Sequence, residues 1–119
     1  MSVIEKPKTY RRGREHRQPI EIVGDPAREI LWEAANLLER DGWMQGGYEW
    51  DGKHCLVGAL HQAEDTYPKT RSKAMLRARK LIAKTLGIKT SRLSRWNDSL
   101  DRKKEEVIDA LRRASEAPE

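Results

Sequence analysis

The chain has 119 residues and 24 Lys/Arg against 19 Asp/Glu, a net charge of +5, with 36% of its residues charged and Phe absent. That length holds one domain with a single modest core, to be built from Leu, Ile, Ala and the four Trp. A single cysteine, Cys55, excludes an internal disulfide and fits a reducing compartment. No stretch approaches the ~20 apolar residues of a membrane span and no signal-peptide pattern is present, so a soluble, cytoplasmic protein is expected.

Residues 1–24 read as a basic, largely disordered N-terminal arm. Lys6, Lys8, Arg11, Arg12, Arg14 and Arg17 sit among Pro7, Gly13 and Pro19, with little to bury before Ile20. Such an arm can lie along phosphates or serve only as a solubilising tail. Its end, Pro19 to Val23, alternates briefly and could dock as a short edge strand or simply extend along the domain.

A helical domain is expected over 25–117. Asp25-Pro26 opens the first helix, with Asp at the N-cap and Pro at the first helical position. Ala27, Ile30, Leu31, Ala34, Leu37 and Leu38 form its apolar stripe, Trp32 lies off the stripe's centre, and Gly42 ends it. Residues 43–54 are the least helical part. Asp51-Gly52 favours a tight hairpin between Trp50 and Lys53, and Trp43, Tyr48 and Trp50 are expected to form a satellite cluster under the loop. Cys55 to Glu64 reads as the second helix, with Gly58-Ala59 marking close approach to a neighbouring helix. Asp65 to Pro68 is a break, and a third helix runs from near Ser72 to Leu86 with Met75, Ala78, Leu81, Ile82 and Leu86 inward.

The stretch Arg79 to Asp98 has the spacing of a helix-turn-helix. Ala83 suits the close approach of two helices, and Gly87 suits the left-handed position after a helix end. Thr90 or Ser91 can cap a short helix of about Ser91 to Trp96. Ser91, Arg92, Ser94, Arg95 and Asn97 would then face outward, able to reach phosphates or base edges. The same spacing also fits an ordinary helical hairpin. Charge separates the two readings: residues 69–95 carry ten Lys/Arg and no Asp/Glu, whereas residues 28–68 carry three against eight. A basic block without interleaved acid repels itself unless a polyanion covers it. A last helix follows, capped by Ser99 or Asp101, with Leu100, Val107, Ile108, Leu111 and Ala114 on its apolar side.

Three blocks stand out together: Gly42-Trp43-Met44-Gln45-Gly46, Cys55-Leu56-Val57-Gly58-Ala59-Leu60, and Trp96-Asn97-Asp98 followed by Glu105-Glu106-Val107. On these the chain resembles an uncharacterised family of small proteins from actinobacteria and their phages, over roughly residues 28 to 115. The resemblance implies a helical single domain and no established activity. It also implies a structural task for Trp96-Asn97-Asp98: Trp96 in the core, Asn97 and Asp98 closing one helix and capping the next.

The fold expected is therefore mainly α, a small single-domain helical bundle with a short hairpin or irregular loop and a helix-turn-helix-like segment. His54 beside Cys55 at a helix start is the one enzyme-like feature. Adjacent residues on a helix diverge, however, so His54 is badly placed as a base, and a buried small-hydrophobe Cys is the expectation. One Cys and three scattered His give no metal spacing, and no cofactor is expected. The expected function is non-enzymatic binding of nucleic acid, duplex DNA above all. Lys73, Lys80, Lys84, Lys89, Thr90, Ser91, Arg92, Ser94 and Arg95 would carry it, with Arg11, Arg12 and Arg14 from the arm. The alternative is a protein-interaction module that docks the same basic face on an acidic protein surface, with the aromatic loop as anchor. The sequence assigns no oligomeric state.

Overall fold

Helix α1 (Pro26–Asp41) is the hub of a computed structural model that describes residues 18–65 and 71–118. Around it come β1 (Glu49–Trp50), β2 (Lys53–His54), α2 (Leu56–Glu64), α3 (Arg71–Leu86), α4 (Leu93–Asn97) and α5 (Lys104–Glu116). From Ala34 to Leu38 five successive residues of α1 are buried, so this stretch of the helix is enclosed on all sides. α2, α3 and α5 each pack against it. The residues expected inward on α3 and α5 are there: Met75, Ala78, Leu81, Ile82, Val107, Leu111 and Ala114 are buried, and Leu86 and Ile108 pack partly against the core.

Several ends follow local chemistry as the sequence requires. Gly42 closes α1 at φ +110, ψ 158, a region open essentially to glycine alone. At the end of α3, Gly87 (φ +71) donates its N–H to the Lys84 carbonyl while Ile88 donates to that of Ala83, the paired bonds of a Schellman motif. Asp51 and Gly52 both have positive φ, and the turn they form pairs Trp50 with Lys53 across an antiparallel ribbon.

Elsewhere the structure corrects the sequence reading. Pro19 to Val23 forms no strand: Ile20–Ile22 is a 3-10 turn whose Ile22 is buried, so packing begins before Asp25. Asp25 holds the N-cap position of α1 without capping it, because its carboxylate is taken by Arg28 and Arg77. Tyr48 and Trp50 do not sit under the loop but lie 62% and 75% exposed. Gly58 approaches the ribbon rather than a helix, since a Cβ there would come within 2.0 Å of the Tyr48 carbonyl oxygen. Neither Thr90 nor Ser91 caps a helix; Thr90–Arg92 is a 3-10 turn leading directly into α4. The last helix starts later than expected, with Lys103 at its N-cap and the Glu106 carboxylate accepting the Lys103 backbone N–H at 2.9 Å. The turn at 99–102 takes up the residues between, and it leaves Leu100 98% exposed instead of on the apolar side. Trp96 is half-buried, covered by the Arg102 guanidinium 3.8 Å from its ring centre.

Candidate nucleic-acid interface

The basic block divides once it is folded. On α3, Lys73, Lys80 and Lys84 are exposed, and their spacing of seven and four residues sets them in one row along the helix. Leu76 and Arg77 lie in the same row, and with Leu81 these residues line an open depression of about 470 Å³. Arg77 reaches out of the row to the Asp25 carboxylate. Arg79, about a third of a turn round the helix, lines a different cavity with Tyr48, His54 and His61.

Beyond Gly87, Lys89, Thr90, Ser91 and Arg92 are exposed along the 3-10 turn, and Arg95 is exposed on α4, while Ser94 is half-buried. Arg92 and Arg95 share the outer side, with Leu93 buried and Trp96 half-buried beneath. Arg11, Arg12 and Arg14 lie outside the described residues. α4 has only five residues, about 7.5 Å of helix.

Asn97 does not face outward; it is fully buried. Its Oδ1 accepts from the Trp43 indole N–H at 2.7 Å and from the Leu56 backbone N–H at 3.1 Å. Its Nδ2 donates to the Met44 carbonyl at 3.1 Å and to Asp98 Oδ1 at 3.0 Å. All four of the amide's hydrogen-bonding positions are filled. Around it Gln45 donates to the Asn97 and Ser99 carbonyls, and the Gly46 N–H donates to Asp98 Oδ1. The three sequence blocks thus meet at one asparagine, which supplies an acceptor to the first turn of α2. No periodicity marks Asn97 as buried; the signal available in the sequence is the joint presence of the blocks.

Cys55 completes that helix start. As N-cap its Sγ accepts the Gly58 N–H at 3.3 Å. Burial pushes the thiol above its usual pKa, against the lowering effect of the Gly58 N–H, so the sulfur is held as a protonated capping group. Among the described residues no group of three His, Cys, Asp or Glu is placed to hold a metal. No helix among them is long and apolar enough to cross a membrane.

Comparison with known proteins finds that a family model, described as a family of unknown function (DUF6197), matches residues 23–117. No curated protein and no solved structure matches the chain.

Proposed function

We propose, for a chain that belongs to this family of unknown function, non-enzymatic binding of nucleic acid, duplex DNA in the first place. Exposed cations of α3 and of the 89–95 segment would take the phosphates, and Arg11, Arg12 and Arg14 of the arm would add contacts without reading sequence. The observation that carries this is the run of ten Lys/Arg with no acid over residues 69–95, whose members Lys73, Lys80, Lys84, Lys89, Arg92 and Arg95 are all at the surface. With Asn97 used by the fold and α4 so short, Thr90, Ser91, Arg92 and Arg95 are the exposed side chains that could approach a groove. Phosphate attachment therefore outweighs base reading.

A gel-shift titration with duplex DNA across salt tests this. Affinity should fall steeply as salt rises. Replacing Arg92 and Arg95 by Ala should leave the fold intact and reduce the salt slope by about two. Absence of binding at low salt would remove the reading. The exposed Leu76 among the lysines favours a second reading, a basic face that meets an acidic, partly apolar protein surface.

A further inference from the structure

Round α3 from the lysine row, an open cavity of about 550 Å³ lies between the ribbon, α2 and Arg79. That volume is within the range of ligand clefts, roughly 300–1,000 Å³. Two of the side chains lining it are withdrawn from water and have no protein partner. His54 is only 6% exposed. Its backbone N–H and carbonyl are taken up by Gly42 and Met44. Its pairing with Glu49 across the ribbon sets both side chains on one face, and both line the cavity. An imidazole in any protonation state carries at least one N–H, and among the described residues nothing accepts from this one. Arg79 is half-buried. Three carboxylates, Glu49, Glu64 and Asp65, line the same cavity, yet none of them pairs with its guanidinium. Buried polar groups are ordinarily hydrogen-bonded, so two donors left open toward one cavity mark a place for a ligand.

The charge around that place is mixed. A simple anion would be drawn to Arg79 but would also meet carboxylates, and a simple cation would meet an unpaired guanidinium. A molecule carrying both charges leaves neither uncompensated. Of the three acids, Glu64 faces His61 at 3.7 Å and Asp65 has a partner of its own. Glu49, opposite His54, has none among the described residues. The histidines and acids do not converge as a metal site, since no three such groups among the described residues are placed to hold an ion.

We propose that this cavity binds a small zwitterion, a free α-amino acid, with its carboxylate on Arg79 and His54 and its ammonium on Glu49. The guanidinium fork matches a carboxylate in bidentate fashion. Tyr48, also in the lining and mostly in water, offers a ring to the ligand's side chain. Neither His54 nor Arg79 is among the side chains assigned to nucleic acid, so the two readings fail separately, and the test contains no nucleic acid.

Histidine-ring resonances of the full chain, followed by nuclear magnetic resonance at fixed pH, read the site directly. Each free amino acid is added to about 10 mM or its solubility limit, with acetate and methylamine as the single-charge halves of the ligand. At least one amino acid should shift the His54 ring saturably, with half-saturation on the order of 1 mM or below. Acetate and methylamine should each bind about tenfold more weakly or worse. Arg79→Gln and Glu49→Gln should each weaken the amino acid by about tenfold or more. Both variants should melt as the wild type does, since neither side chain has a partner among the described residues to lose. Glu49→Gln should spare what acetate binding there is, and Arg79→Gln should abolish it. Absence of a saturable shift with every amino acid overturns the proposal. So does acetate that binds as tightly as the amino acid, which would make this a site for simple carboxylates, and so does an affinity indifferent to either substitution.

Discussion

Asn97 ties three separate stretches of the chain together through one side chain. Its Oδ1 is the acceptor for two N–H groups, one from the Trp43 ring and one from the backbone of Leu56. Asn97→Ala takes that acceptor away while both donors stay inside the protein. A buried donor left without a partner costs about 1–3 kcal/mol, so a loss of roughly 2–4 kcal/mol is expected, visible as a lower urea midpoint with the slope unchanged. A midpoint equal to that of the wild type would show that both donors find other partners. By helical spacing Asn97 looks as eligible for an outward place as Arg95. Which of them turns in is settled by Trp43 and Met44, more than fifty residues away in sequence.

At the level of elements, the parts legible in the sequence are those fixed by neighbours in the chain. Asp-Gly sets the ribbon turn, Gly87 ends α3 through bonds to Ala83 and Lys84, and Pro26 opens α1. The illegible parts depend on distant packing. Gly58 reads as a small residue for a helix crossing, yet what presses on it is the Tyr48 carbonyl. Tyr48, Trp50 and Leu100 read as core because they are apolar, and no local rule shows that the ribbon and the 99–102 turn project them into water. The basic block is visible as composition, whereas the separation of Arg79 from the lysine row emerges only when α3 is wound. Gly58→Ala tests the ribbon's seat. A Cβ 2.0 Å from a backbone oxygen forces either the ribbon or the first turn of α2 to shift. The domain should lose more stability than Cys55→Ala costs, about 1 kcal/mol for a lost N-cap. Nuclear magnetic resonance shifts should move chiefly at residues 48–58. Equal stability of the two variants would mean that the ribbon rides freely over α2.

Across the whole molecule, α1 is clamped to its neighbours by charge as well as by packing. Arg112 of α5 lies 4.1 Å from the Trp32 ring centre and pairs with Glu39 at 2.7 Å. Asp25 joins the start of α1 to Arg77 of α3. Burial of Asp25 resists its ionisation, but the hydrogen bond and charge of Arg77, with Arg28, outweigh that and hold its carboxyl below the ordinary range. The unfolded chain therefore takes up this proton more readily than the folded one. The Asp25 contribution is fully present above the unfolded value near 3.8 and is lost as pH falls through the lower folded value. Asp25→Asn should lower stability at neutral pH and flatten the decline on acidification, measured by urea midpoints between about pH 2 and pH 7. An acid limb as steep as the wild type's would place the linkage on other carboxylates.

The asparagine that joins the three blocks also sets an order in which the protein can open. The Leu56 amide and the Trp43 indole proton are held by a side chain 41 and 54 residues further along the chain. Release of α4 frees both protons to deuterium at once, whereas fraying of α2 frees only the Leu56 amide and loosening of the 42–46 loop only the indole proton. Where the release of α4 is the opening step, both should exchange together, whereas the amides of the 3-10 turn at Thr90–Arg92 exchange early. Two protons near the middle of the sequence would then report whether the C-terminal third of the chain has let go.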